Sequence, residues 1–211
     1  MSQPRQRVSR AARRQQILDA ATRVFGSKGT SAGTLQEIAD QVGITRAGVL
    51  HHFGSKDNLL QAVLEYRDRS DVAELPEQHV PQGADWFHHL VHTAVENTQR
   101  PGIVQAYVVL SSEAVTEGHP ATPFFQHRYS ALREEGVAAI RETWPHADLD
   151  PKKVELAAAC IPAIMDGLQV QWLLDPERID LAQATAFCFE ALLSAVLPSD
   201  AEPLELPVTP S

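Results

Sequence analysis

Residues 34–60 read TLQEIADQVGITRAGVLHHFGSKDNLL, and they decide the fold because helix starts and stops alternate within them at close spacing. Thr34 followed by Glu37 is a capping box, in which each side chain satisfies a backbone donor at the other position. Gly43 permits the tight turn that ends a helix, and Thr45 and Ser55 suit the caps that begin the next two. The pattern predicts one helix from Thr34 to Gly43, a second from Thr45 or Arg46 to Gly54, and a third from Ser55 onward. Two short helices joined by VGIT form a helix-turn-helix, which presents its second helix to the major groove of DNA. That second helix carries Gly48 in its interior, at a cost of about 1 kcal/mol relative to Ala. Next to Ala47, the missing side chain lets the backbone approach base edges. Arg46 can bridge guanine O6 and N7, and the Thr45 hydroxyl can meet a phosphate.

Working upstream, Ile17, Leu18, Ala21, Val24 and Phe25 form one stripe of an amphipathic helix that Gly29 would stop. Downstream, Leu59, Leu60, Val63 and Leu64 continue the helix begun at Ser55 to about Ser70. The charge follows this division. Residues 1–70 hold 11 Lys and Arg against 6 Asp and Glu, and residues 71–211 hold 7 against 21, within a net charge of −9. A basic head on an acidic body is the footprint of a module meant for phosphates joined to one that is not. Arg5, Arg7, Arg10, Arg13 and Arg14 suggest a basic arm for the minor groove, or else a solvated terminus. The expected division is a flexible arm over 1–9, the head over 10–70, a helical body over 71–197 and a disordered, proline-rich tail over 198–211.

The body shows helical periodicity and no convincing alternating strand, so the fold class is all-α. Phe87, Leu90, Val91, Ala94 and Val95 make one stripe, Val104 to Val115 a second helix, and Phe125, Tyr129, Leu132, Ala139 and Ile140 another. The last two helices, about Lys152 to Leu174 and Leu181 to Leu197, are apolar nearly all round. Such helices must be covered on both sides, by their own domain or by a second subunit. Pro162 should kink the first of them. The apolar runs 157–165 and 182–197 fall short of the ~20 residues of a membrane span, so no membrane partner is expected. Residues 1–16 carry no apolar signal segment. Cys160 and Cys188 read as buried thiols of a reducing compartment, and a soluble protein of the cytoplasm is expected.

Three residue sets in the body carry possible chemistry. Trp86, Tyr107, Phe124, Phe125, Tyr129, Met165 and Trp172 either line a ligand cavity or fill a core; Glu113 and Gln169, polar groups within apolar runs, favour a cavity with oriented ligand contacts. Gly167 permits close helix approach. His88, His92 and Glu96 at i, i+4 and i+8 offer one helix face to a metal, which keeps a metal sensor or a metal-dependent helical enzyme as the rival reading. That face lies mostly away from the apolar stripe, and the zinc-protease pattern requires Glu where His89 stands. No metal site and no cofactor is therefore expected.

The segment TLQEIADQVGITRAGVLHHFGSKDNLL, with its basic first helix, its cap spacing, the HF that closes one helix and the SK that opens the next, resembles the DNA-binding domain of the TetR family of transcriptional regulators. The resemblance covers about residues 10–65. It implies phosphate contacts from Thr34, Thr45, His52 and Lys56 and base contacts from Arg46, Ala47 and Gly48. Where that family often carries aromatics, this chain has Leu50 and His51; Leu50 cannot donate to phosphate, and His51 is expected to make that contact instead. IMDGLQVQWLLDPERIDL looks like the dimer-side helix of many members. The resemblance implies about nine helices, a homodimer, a double-stranded operator, a small-molecule effector held in the body, and a dimer interface through Leu156, Ile164, Gly167, Leu168, Phe187 and Leu192. The expected function is a repressor released from DNA by a small apolar or amphipathic ligand. The alternatives are an activator or a regulator that answers to a protein partner.

Overall fold

The computed structural model of the protein describes residues 9–71 and 80–208. Arg5 and Arg7 of the expected arm, residues 72–79 of the expected body and residues 209–211 lie outside the described residues. Among the described residues there are nine α-helices and no strand: α1 (Arg10–Ala32), α2 (Leu35–Val42), α3 (Arg46–Phe53), α4 (Lys56–Asp71), α5 (Ala84–Gln99), α6 (Pro101–Glu113), α7 (Thr122–Thr143), α8 (Pro151–Leu174) and α9 (Leu181–Ser194).

The chain forms two compact units. The first combines residues up to Arg69 with Gln105–Thr122, and the second combines Ser70–Val104 with Pro123–Ser211. A single boundary at residue 70 therefore misses two further crossings. In the first unit, Ile17, Leu18, Ala21, Val24 and Phe25 of α1 are buried, as are Ile38 and Ala39 of α2, Val49 of α3 and Leu59, Leu60, Val63 and Leu64 of α4. Gly29 does not end α1. It interrupts it with φ 70° and ψ −179°, and helical structure resumes to Ala32. A Cβ at Gly26 would stand 3.1 Å from the Ala106 backbone, so the middle of α1 packs closely on the segment that returns from the body.

In the second unit α7 runs antiparallel to α5 and to α8. The Gly83 amide donates to Glu142 at 3.1 Å and Trp86 Nε1 to Glu135 at 3.3 Å. On the other side, a Cβ at Gly136 would meet Ala158 at 3.3 Å, and the Tyr129 hydroxyl donates to Asp166. With α9 packed on α5 and α8, these helices enclose a core of Trp86, Phe87, Leu90, Val91, Ile140, Val154, Ile161, Phe189 and Leu193. α8 stays helical through Pro162. It spans 24 residues, so by length and composition it does suffice to cross a membrane; the shorter runs read from sequence missed this because the helix extends beyond both of their ends.

Two expectations are corrected here. The segment after α9 is packed rather than disordered: Leu206 is buried, Leu204 and Val208 lie against the core, and the Leu206 amide donates to Glu190 at 2.7 Å. Trp144 Nε1 donates to the Glu202 carbonyl at 2.9 Å. Proline-rich composition suggested disorder, but Leu204, Leu206 and Val208 alternate as in an extended strand with one apolar face. Cys160 is exposed and Cys188 half-buried, because both lie toward the outer side of their helices, away from the core.

Candidate nucleic-acid interface

The turn is built as its sequence dictates. Thr34 Oγ1 accepts from the Glu37 amide at 3.2 Å while Glu37 accepts from the Thr34 amide at 3.0 Å, completing the capping box. Lys28 also donates to Glu37. That bond, followed by those from the Thr34 amide and hydroxyl, lowers the Glu37 carboxyl to about 2. Gly43 adopts φ 69° and ψ 38°, and its amide returns to the carbonyls of Ala39 and Asp40. Thr45 Oγ1 then accepts from the Gly48 amide at 3.1 Å to start α3.

α3 divides into two faces. Val49 and Phe53 are buried, while Thr45, Arg46, Ala47 and His51 are exposed and Gly48 and His52 half-buried. The exposed residues cluster at the N-terminal end and along one side, where a helix lying in a groove would present them. Of the residues expected at DNA, Thr34 spends its hydroxyl in the capping box, and Lys56 donates to the Thr30 carbonyl in the free protein. Sequence reading missed the surroundings of His52. Burial, then the charges of His51, Arg10, Arg13 and Arg14, push its imidazole below the ordinary value. Arg10, Arg13 and Arg14 belong to α1, capped by Ser9, and do not form a free arm. Arg13 donates to the Val42 carbonyl at 3.0 Å, and the Arg14 guanidinium lies 4.7 Å from the centre of the Phe53 ring. The Ser9 cap was the available signal.

Glu113 and Tyr107, both expected at a ligand, lie in the first unit. Glu113 Oε2 accepts from the Thr30 amide at 2.7 Å and from the Thr30 hydroxyl at 2.9 Å. His119 Nε2 stands 2.7 Å from the same hydroxyl. The threonine proton is committed to the carboxylate, so Nε2 must donate, and Nδ1 then accepts from the Ala121 amide at 3.2 Å. Gly29 borders this relay, and a Cβ there would fall 1.9 Å from Glu113 Oε1. Tyr107 is buried under the Arg67 guanidinium at 4.1 Å.

The other expected ligand residues lie in the second unit. Trp86 is buried beside Phe87, and Met165 packs against the same core. Phe125, Gln169 and Trp172 are buried, and Tyr129 lies 6.2 Å from the Phe125 ring. The residues expected at a dimer interface include two largely exposed apolar side chains, Leu156 at 67% and Phe187 at 71%. Gly167 is exposed with nothing within 4 Å of a Cβ, Ile164, Leu168 and Leu192 are half-buried, and Leu174 is 81% exposed. Around His92, Glu96 pairs with Arg100 at 3.2 Å, and among the described residues no three His, Cys, Asp or Glu converge as a metal would require.

Comparison with known proteins agrees with this geometry along the chain. Residues 17–63 match the model of bacterial regulatory proteins of the tetR family, and residues 83–197 match that of the C-terminal part of BetI-type transcriptional repressors. The transcriptional regulator TtgR of Pseudomonas putida is 31% identical over 186 residues, covering 80% of this chain and 83% of its own. The probable regulator ArpR of the same species is 30% identical over the same shares. The solved structure of SmeT, repressor of the Stenotrophomonas maltophilia multidrug efflux pump SmeDEF, superposes with a TM-score of 0.70 at 22% identity, over 92% of this chain and 96% of that one. A complex of SmeT with triclosan superposes with a TM-score of 0.75 at 21% identity, over 94% and 98%.

Proposed function

The chain belongs to the tetR family of bacterial regulatory proteins, and from that premise we propose that it is a homodimeric repressor held on a palindromic operator and released by a small apolar or amphipathic effector. The observation that carries the reading is the exposed end of α3, where Thr45, Arg46 and Ala47 project beside His51 while Val49 and Phe53 anchor the opposite face. Arg46 reads bases there. Thr45, His51, His52 and Lys56 supply phosphate contacts around it, and Lys56 exchanges its Thr30 carbonyl for DNA.

The sign of regulation is supported by the match of residues 83–197 to BetI-type repressors, and a small-molecule effector by the triclosan complex of SmeT. Dimerisation is supported by the exposed apolar side chains of α8 and α9, which a symmetry-related copy would cover as a four-helix interface. The two heads would then meet half-sites about 34 Å apart or a multiple of that. Effector binding shifts the dimer away from this spacing with a coupling of about 1–3 kcal/mol. Such a protein works in the cytoplasm, where its DNA lies.

Selection of duplexes from a random pool by the purified protein tests the reading. The expected product is an inverted repeat, and Arg46→Ala should weaken its binding by about 1–3 kcal/mol and relax base preference in both halves. Enrichment of no sequence, or of one without two-fold symmetry, rejects it. A reporter behind the selected site should rise when the protein is removed; a fall would make it an activator.

A further inference from the structure

Three side chains in the second unit are buried with a polar atom that finds no hydrogen-bond partner among the described residues: Thr93 through Oγ1, Asn97 through Nδ2 and Gln169 through Oε1. Their exposures are 3%, 1% and 2%. Such atoms forfeit the bonds that water gave them in the unfolded chain, and native interiors hold few of them. Three in one unit require a common account.

Helix register supplies it. The Gly83 to Glu142 and Trp86 to Glu135 bonds fix α5 antiparallel to α7, so Thr93 and Asn97 fall level with residues 124–132 of α7. The Tyr129 to Asp166 bond and the Gly136 to Ala158 contact fix α8 antiparallel to the same helix, so Gln169 falls level with residues 125–126. All three unpartnered atoms therefore belong to one end of the bundle, the end that holds Phe125, Tyr129 and Trp172. The opposite end, from Trp86 to Val91 and from Val154 to Ile161, is packed core.

The chemistry of the three groups is complementary. Asn97 Nδ2 can only donate, Gln169 Oε1 can only accept, and the Thr93 hydroxyl can do either. The Asn97 oxygen is already taken by Arg100 Nε at 3.2 Å, which settles the orientation of that amide. The Asp166 carboxylate at the same level disfavours an anion.

We propose that Thr93, Asn97 and Gln169 form a hydrogen-bonding subsite for a neutral, largely apolar molecule that carries a donor beside an acceptor, a carboxamide being the simplest such group. The proposal rests on the reading of the second unit as an effector-binding body, and it adds two residues, Thr93 and Asn97, that no periodicity marks. The aromatic side chains hold the apolar part of the ligand, and the three polar groups orient it.

Calorimetric titration of the full-length protein tests this with 2-naphthamide, which donates and accepts, methyl 2-naphthoate, which only accepts, and 2-ethylnaphthalene, which does neither. The wild type should bind the amide once per subunit and prefer it to the ester by about tenfold, the worth of one or two net hydrogen bonds. Gln169→Met and the shape-conserving Thr93→Val should each shrink that preference and leave 2-ethylnaphthalene binding unchanged. Failure of the wild type to bind the amide, equal binding of amide and ester, or survival of the preference in both variants overturns the subsite. If the wild type binds no probe while both variants lose thermal stability, the polar atoms serve a resident water only, which also overturns it. Operator release is measured separately: binding with the expected variant pattern but no loss of DNA keeps the subsite and removes the repressor reading.

Discussion

His52 shows how much one side chain depends on neighbours that sequence separates from it. Its imidazole sits below the ordinary value because it is partly desolvated beside His51, Arg10, Arg13 and Arg14, so the free head holds it neutral. A phosphate at this position would favour the charged form, and DNA binding would take up a proton. Operator affinity should then rise as pH falls from about 8 toward 5, and His52→Gln should flatten that slope in binding titrations. Stability has the opposite sign. The unfolded chain protonates His52 more readily, so its contribution is complete above about pH 6.5 and is lost below it. Lys56 makes a contrasting case: Lys56→Ala should weaken all duplexes alike and reduce the salt slope by about 1, and a sequence-selective loss would remove it from the phosphate contacts. Thr34, Gly43 and Thr45 were legible because their partners lie within a few residues. The environment of His52 was not, since it needs α1 placed against α3.

At the scale of elements, α1 shows what periodicity misses. Its apolar stripe predicted the helix, and Gly29 predicted an end, yet the glycine marks a break pinned from outside by Glu113 and His119 through Thr30. The backbone there lies in a region open almost only to glycine. Gly29→Ala should cost about 1–3 kcal/mol for that reason, before the clash with Glu113 is counted, and urea unfolding will read it. Thr30→Val keeps the shape, removes the hydroxyl and strands His119 Nε2. It should cost about 1–3 kcal/mol, with Thr30→Ser recovering most of it; unchanged unfolding of the valine variant would show that the relay carries no stability. The strap over 202–208 escaped notice for a related reason. Glu190 stands alone as a charged residue in an apolar helix, and its role appears only when Leu206, 16 positions away, brings an amide to it.

On the scale of the molecule, the division into a basic helix-turn-helix head and a helical body could be read in advance, because caps and stripes are local, whereas the number of helices came from the family resemblance. The assignment of residues 105–122 to the head could not, since an amphipathic stripe does not say which partner it faces. The exposed apolar sides of α8 and α9 lead to a test of assembly: Phe187→Asp should turn the protein monomeric in sedimentation, and Gly167→Leu, with room for a side chain within its own subunit, should weaken the dimer without unfolding it. An undiminished dimer in both variants would move the interface elsewhere. The relay at Thr30 has a further consequence during synthesis. Thr30 and Glu113 are 83 positions apart, so at about 5–20 residues per second the ribosome completes the partner some 4–17 s after the site it must hold. For that interval α1 to α4 exist with the Gly29 break unpinned, and a nascent chain stalled before residue 113 should present a head more open to proteases near Gly29 than one released after Thr122.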